Sequence, residues 1–204
     1  MKKINDKSQI ASFYIGIVNN EKLLIASDKR CIVPVNGQFL IYDNIDKVFA
    51  INENVILTVA GIFNDSELFF APFVDGADIS NVDDACDVVQ DYLIGLQAID
   101  QLPSSRSYLI GGYNKDGVLT IANVSYIDED STIYVDKRTD SKDGLFVMYL
   151  PGSLLPEKDF YEKELNKMLA NEEYSIDEAV TSFVNMISEK SKLVNSNISY
   201  LYCF

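Results

Sequence analysis

The hydrophobic residues in the first part of the chain form short runs separated by polar turns. Apolar runs at 13–17 and 23–26 flank Asn19-Asn20, a pattern typical of two strands joined by a hairpin turn. Residues 1–9 are polar and without a pattern, and the first eleven residues stand apart, so the sheet is predicted to begin directly after a short leader.

Later runs predict more strands and then helices. Strands are predicted at 47–51, 55–60, 108–113, 118–122, 145–148 and 198–204. Helices are predicted from 64, from 81, over 156–169 and after the capping box that Ser175 opens with Glu178. The order is strands, two helices, strands, two helices and a strand, which suits two stacked sheets with helices on both outer faces.

Length and composition fit one domain. The chain has 204 residues, of which 48% are hydrophobic, with ten Gly and five Pro and no linker or repeat. We therefore divide it into a leader or propeptide at 1–11 and a single domain at 12–204.

The residue types exclude several classes of function. The chain has no histidine, so Ser-His-Asp, Cys-His and His-metal sites are excluded. A net charge of −14 disfavours nucleic acid and anionic membranes as partners. Cys31, Cys86 and Cys203 lie far apart without a CxxC motif, which predicts reduced core thiols in a cytoplasmic protein and no metal site. No cofactor is predicted.

Four segments carry a resemblance to a known family. They are 12–18 (SFYIGIV), 24–30 (LIASDKR), 46–51 (DKVFAI) and 58–61 (TVAG). In this order the segments resemble the proteasome β-subunits, which are N-terminal-nucleophile hydrolases. The resemblance implies an α+β fold with four αββα layers, and it treats the extra residues between Arg30 and Lys47 as a loop insertion.

The resemblance also implies site residues. Ser12 becomes the nucleophile once self-cleavage exposes it as the new N-terminus, with Asp28 and Lys47 as its charged neighbours. The amide of Gly61 is implied as an oxyanion donor, and Val59 as a residue that lines an apolar substrate pocket. Two supporting residues are Arg30 and Asn195.

Each implied role has a physical reason. A serine hydroxyl is a weak nucleophile, but a free α-amine titrates near 8 and can act as its base without any histidine. A buried lysine favours loss of the hydroxyl proton, and Asp28 keeps the charge of Lys47 from being buried uncompensated. A glycine after a core strand lets its N–H approach a tetrahedral oxyanion.

Several positions depart from the family pattern. Serine replaces threonine at position 12, and Ala11 rather than glycine precedes it. Lys192 stands where the family has an acid, and Asn195 supplies only part of the hydrogen bonding expected there.

These departures leave the function open between alternatives. The leading hypothesis is a self-processing N-terminal-serine amide hydrolase that acts on peptides. The alternative is a non-catalytic structural subunit of an oligomer, and a third possibility is an amidase that acts on small non-peptide amides. The family likeness implies a homo-oligomer with a ring as one form, and composition specifies neither its size nor a regulator.

Overall fold

The computed structural model describes residues 8–10, 13–18, 22–35, 38–63, 71–73, 78–102, 105–128, 131–139, 145–151 and 153–203. Within these residues the chain forms twelve strands and three α-helices. The strands in the first part are β1 (Ser8–Ile10), β2 (Tyr14–Val18), β3 (Leu23–Asp28), β4 (Cys31–Val35), β5 (Gln38–Tyr42), β6 (Val48–Ala50) and β7 (Val55–Phe63). Those in the rest of the chain are β8 (Arg106–Tyr113), β9 (Leu119–Ile127), β10 (Thr132–Thr139), β11 (Leu145–Tyr149) and β12 (Ile198–Cys203).

The helices start at recognisable caps. α1 (Val82–Ala98) begins at Asn81, whose side chain accepts from the amides of Asp83 and Asp84. α2 (Lys158–Leu169) follows a short 3-10 turn, and α3 (Ile176–Lys190) opens with the predicted capping box of Ser175 and Glu178. The helix predicted from residue 64 and the turn at Asn19-Asn20 lie outside the described residues.

Two antiparallel sheets form the centre of the molecule. The larger sheet has the order β10-β9-β8-β7-β1-β4-β5, with β6 on a separate part of β7, and the smaller has the order β11-β2-β3-β12. α1 covers the outer face of the larger sheet, and α2 and α3 cover that of the smaller one. A third apolar cluster, which includes Ile25, Leu109 and Ile121, lies between the sheets. This arrangement is the predicted four-layer αββα sandwich.

Alternation along β7 shows how the sequence produces these layers. Val55, Leu57 and Val59 pack with α1, whereas Ile56 and Ala60 pack in the cluster between the sheets. Because successive side chains of a strand point to opposite faces, a strand between two apolar layers reads as a continuous apolar run.

The structure differs from the sequence prediction at three places. Residues 8–10, predicted to be patternless leader, form β1 inside the larger sheet. The loop predicted between Arg30 and Lys47 contains the antiparallel pair β4 and β5. A further strand, β10, was not predicted. For β1 the physical reason is that strand pairing satisfies main-chain groups whatever the side chains are.

The cysteines and the helices bear on two further expectations. Cys31, Cys86 and Cys203 are buried and free, as predicted. No helix in the described ranges combines the length and the apolar character that crossing a membrane requires.

Candidate active site

The centre of the candidate site is an ion pair between Asp28, the last residue of β3, and Lys47, directly before β6. Both side chains have 0% exposure, and Lys47 Nζ lies 2.8 Å from Asp28 Oδ1. Strand ends bring the two residues together although 19 positions separate them along the chain. We call Asp28 and Lys47 the inner pair.

Main-chain groups complete the hydrogen bonding of the inner pair. The amide of Phe13 donates to Asp28 Oδ1 at 3.1 Å, and the amide of Arg30 donates to Oδ2 at 3.0 Å. Lys47 Nζ also donates to the carbonyl oxygen of Arg30 at 2.8 Å. Buried charges need such partners, because an unpaired charge in the core costs several kcal/mol.

Burial changes the acidity of both groups. The pKa of Asp28 is raised by burial, against the opposing effect of Lys47 and two main-chain amides. The pKa of Lys47 is lowered by burial, against the opposing effect of Asp28. Burial thus works against both charges, and each charge depends on the other for its stabilisation.

The predicted nucleophile, Ser12, lies outside the described residues, as does Ala11. The described chain nevertheless approaches this position from both sides. Ile10 pairs with Gly61 on β7, and Phe13 donates its amide to Asp28. Since three peptide units join Ile10 to Phe13, their Cα atoms lie at most about 11 Å apart.

The main chain at Phe13 is fixed by a second contact as well. Ser27 Oγ donates to the carbonyl oxygen of Phe13 at 2.9 Å, and β2 pairs with β3 through Tyr14 and Ser27. Ser27 is a site residue that the sequence prediction missed. The available signal was its position directly before Asp28, because both residues lie at the end of β3, which pairs with β2.

Gly61, the predicted oxyanion donor, lies on β7 between β1 and β8. It has φ +119°, and a Cβ atom there would lie 2.5 Å from the carbonyl oxygen of Ser105. Both the backbone angle and the close approach of β8 require glycine. Its register partners are Ile10 on β1 and Arg106 on β8.

Val59, the predicted pocket residue, has its side chain on the α1 face of β7. It is fully buried in the cluster that includes Cys31, and Ile45 packs against this cluster. Burial raises the pKa of the Cys31 thiol and the charge of Lys47 lowers it, so Cys31 is the member of this cluster that lies near the inner pair.

The two predicted supporting residues, Arg30 and Asn195, meet at a third residue, Asp43. Arg30 binds the Asp43 carboxylate with two hydrogen bonds, Nε to Oδ1 at 2.6 Å and Nη2 to Oδ2 at 3.1 Å. Asn195 Nδ2 donates to the carbonyl oxygen of Asp43 at 3.0 Å and to its Oδ1 at 3.2 Å. We call Arg30, Asp43 and Asn195 the outer network.

The outer network also reaches the residue between Asp28 and Arg30. Asn195 Oδ1 accepts from the amide of Lys29 at 3.1 Å, and Arg30 Nη1 donates to the carbonyl oxygen of Lys192 at 2.7 Å. Lys192 thus contributes its main chain to this network. Asp43 was missed by the sequence prediction because it lies in the segment that was interpreted as a loop insertion.

Strand β1 lies between β7 and β4 in the larger sheet. β1 pairs with β7 on one side, from Ser8 with Phe63 to Ile10 with Gly61, and with β4 on the other, at Gln9 and Ile32. Both pairings are antiparallel, so β7 and β4 form a slot into which an extended chain is bound by main-chain hydrogen bonds.

The comparisons with known proteins agree with this architecture. The family model described as Proteasome subunit matches residues 10–127, which is more than half of the chain. No curated protein is a significant match to the sequence.

Solved structures share the fold at low sequence identity. Eukaryotic HslV from Trypanosoma brucei is 11% identical, with a TM-score of 0.59, and the match covers 94% of this chain and 98% of that one. Thiobacillus denitrificans BPH in complex with epoxomicin is 11% identical, with a TM-score of 0.61 and coverage of 93% and 97%. Anbu from Hyphomicrobium sp. strain MC1 is 14% identical, with a TM-score of 0.58 and coverage of 93% and 81%. With a family model matched over residues 10–127 and the four-layer sandwich in place, the chain belongs to the proteasome subunit family.

Proposed function

We propose that this protein is a self-processing amide hydrolase that uses Ser12 as its nucleophile and acts on peptides. The observation that carries the proposal is the buried inner pair, hydrogen-bonded to the amide of Phe13, the residue that follows Ser12. A buried ammonium that is held by Asp28 next to the start of β2 can stabilise the oxygen anion of a serine, and this favours loss of the hydroxyl proton.

The first chemical step in this proposal is removal of the leader. Ser12 Oγ attacks the carbonyl carbon of Ala11, and the peptide bond is exchanged for an ester as the Ser12 nitrogen takes up a proton. Water then hydrolyses the ester, which frees residues 1–11 and leaves Ser12 with an α-amine. That amine titrates near 8 and is a suitable base at neutral pH.

Substrate cleavage repeats the same chemistry on a second chain. Ser12 Oγ attacks the substrate carbonyl, the α-amine takes the hydroxyl proton and passes it to the departing amine, and water later releases the acyl group. The inner pair stabilises the deprotonated oxygen through Lys47. The amide of Gly61 is proposed as the donor to the tetrahedral oxyanion, an effect worth about 3 kcal/mol per donor in other enzymes.

The binding mode of the leader supports peptides over small amides as substrates. An extended chain can add as a strand between β7 and β4, as residues 8–10 do, and main-chain pairing of this kind is independent of the side chains. The preference for an apolar side chain is proposed on the resemblance, because Val59 itself is fully buried in the cluster beneath α1.

The test is intact-mass measurement and N-terminal sequencing of the full-length chain after incubation. The proposal expects loss of residues 1–11 and a new N-terminus at Ser12. Ser12→Ala should retain the leader, and the matched control Ser12→Thr, which keeps the hydroxyl, should lose it. A wild-type chain that keeps Met1 through long incubation, and that a hydroxyl-directed electrophile such as a peptidyl β-lactone does not label at Ser12, contradicts the proposal.

A structural subunit is the second candidate, and one observation favours it. The strand β1 already completes the larger sheet, so the uncleaved chain satisfies the main-chain groups of β7 and β4 without any processing. This candidate expects a stable oligomer with Met1 retained and no labelling at Ser12.

The proposal also covers the assembly and the location of the protein. The proposal includes a homo-oligomer with a ring as its form, supported by the likeness to HslV, and a cytoplasmic location, supported by three free buried cysteines. Sedimentation of the purified protein measures the assembly directly.

A further inference from the structure

Asp43 lies in the connection between β5 and β6, outside the inner pair, yet it is linked to that pair through a single residue. Its carboxylate binds the Arg30 side chain with two hydrogen bonds, while the main chain of Arg30 contacts both members of the inner pair. The Arg30 amide donates to Asp28, and its carbonyl oxygen accepts from Lys47 Nζ. A shift of the Arg30 main chain therefore changes its hydrogen bond to Asp28 and its hydrogen bond from Lys47 at the same time.

The segment that includes Asn195 holds Asp43 in turn. Asn195 Nδ2 donates to the Asp43 carbonyl oxygen and to Oδ1, and Asn197 Nδ2 donates to the same carbonyl oxygen at 3.1 Å. The aspartate is thus fixed by groups about 150 positions away in the chain. The guanidinium is fixed on its far side by the Lys192 carbonyl oxygen.

We propose that Asp43 is a positioning residue for the inner pair: by fixing the Arg30 guanidinium, it holds the Arg30 carbonyl oxygen against the Lys47 ammonium. The proposal rests on the proposed function, because it assigns Asp43 to the site at which Ser12 reacts. It also assigns a role to the residues between Arg30 and Lys47, which carry the aspartate that pairs with Arg30.

The alternative is that Arg30 and Asp43 form an ordinary surface ion pair. Exposed pairs contribute little on average, and 45% of the Asp43 side chain is exposed. Two features separate this pair from that average. Its geometry is bidentate, and its arginine is 20% exposed and joined to buried groups through its own main chain.

Lys29 and Asp46 provide a matched control in the same segment. Lys29 Nζ lies 2.7 Å from Asp46 Oδ1, and 63% of the Asp46 side chain is exposed. Asp46→Asn removes one negative charge beside Lys47 in the sequence but leaves Arg30 in place. It therefore separates the loss of charge near the site from the loss of the bond to Arg30.

The first experiment measures labelling of processed protein by a peptidyl β-lactone. Asp43→Asn should lower the maximal labelling rate at saturating reagent about tenfold, the size expected when a hydrogen bond to a charged group is lost. The concentration of reagent that gives half of this rate should be unchanged, because Asp43 lies outside the slot between β7 and β4. Asp46→Asn should label at the wild-type rate. A purely stabilising role would reduce the labelled fraction and leave the maximal rate of the folded protein unchanged.

A double variant makes the test independent of how well one variant folds. Arg30→Lys keeps the charge but cannot form the bidentate bond, so it should lower the maximal rate by a similar factor. Adding Asp43→Asn to Arg30→Lys should then cause no further loss. Independent, multiplied losses, or a wild-type maximal rate in Asp43→Asn, would overturn the proposal.

The second experiment needs no catalysis and so distinguishes failure of this proposal from failure of the proposed function. In full-length protein with ¹⁵N-labelled lysine, the buried Lys47 ammonium should exchange its protons slowly with water. Asp43→Asn should lose this protection, and Asp46→Asn should keep it. If the wild type is never labelled at Ser12, the proposed function fails, whereas retained protection of Lys47 in Asp43→Asn contradicts the role of Asp43.

Discussion

The inner pair and the outer network are two charged clusters that the main chain of Arg30 connects, and they differ in their access to water. Asp28 and Lys47 are fully buried, whereas the side chains of Arg30 and Asp43 are 20% and 45% exposed. Burial makes the members of the inner pair depend on each other, because each would be an uncompensated charge alone. In the outer network water can replace a lost partner. Loss of one partner should therefore lower the free energy of unfolding less there than in the inner pair.

The largest expected effect follows from breaking the inner pair. Lys47→Met leaves the Asp28 carboxylate buried without its cation, and we expect a loss of about 3–5 kcal/mol in the free energy of unfolding. Urea denaturation followed by circular dichroism measures this loss. Lys137→Met is the matched control, because Lys137 forms a partly exposed pair of 2.9 Å with Asp83 and should lose at most about 1 kcal/mol.

The double variant Asp28→Asn with Lys47→Met sharpens this prediction. Removing both charges leaves no buried ion, so the double variant should be more stable than Lys47→Met alone. Equal losses in Lys47→Met and Lys137→Met would contradict the prediction that a buried ion pair depends on its partner more than a partly exposed one does.

The next effect concerns the backbone of β7 at Gly61. Gly61→Ala forces a Cβ atom against the main chain of β8 at a positive φ, and we expect a loss of about 2 kcal/mol in unfolding free energy. Gly95→Ala in α1 is the control, because a Cβ atom there has no heavy atom within 4 Å and should stabilise the helix by up to about 1 kcal/mol. The thermal midpoints of the two variants should therefore move in opposite directions, and a rise for Gly61→Ala would contradict the prediction.

The sequence predicts the main strands and helices better than it predicts the short strands and the long-range side-chain contacts. The helical periodicity of α1 and the apolar run of β7 are local properties, so the main strands and helices can be predicted from the sequence. The capping box at Ser175 is equally local. Asp28 and Lys47 could be singled out through the resemblance, and the distance of 2.8 Å between them fits the predicted charge compensation, whereas their role as neighbours of Ser12 stays a prediction.

Other features depend on contacts that no local pattern contains. β1 has three residues and pairs through its main chain, so its side chains carry no strand signal. The hairpin of β4 and β5 had a signal in the dipeptide Asn36-Gly37, which a loop interpretation overlooked. Asp43 and Asn195 meet across about 150 positions, and spacing along the chain gives no indication of such a contact.

A smaller effect is expected when the outer network loses its carboxylate. Asp43→Asn should lower the free energy of unfolding by at most about 1 kcal/mol at low salt, because both side chains keep access to water. Raising the salt concentration to about 1 M should reduce this difference, since the screening length falls to about 3 Å. The loss in Lys47→Met should change little over the same range, because buried charges are screened less. Denaturation at two salt concentrations measures the losses in Asp43→Asn and in Lys47→Met. An equal salt dependence of the two losses would contradict the distinction between the outer network and the inner pair.

The smallest effect is the pH dependence of the same contact. Hydrogen bonding to Arg30 lowers the pKa of Asp43 below its ordinary value of 3.8. A carboxyl with a lowered pKa in the folded state contributes stability above its unfolded pKa and loses it as the pH falls through the folded value. The stability difference between wild type and Asp43→Asn should therefore be constant from pH 7 to 5 and shrink below about pH 4, by a fraction of 1 kcal/mol. Denaturation curves at pH 5 and pH 3 measure the change, with Asp46→Asn as the reference variant in the same segment. A difference that grows towards pH 3 would contradict the assignment of Asp43 as the carboxylate that Arg30 stabilises.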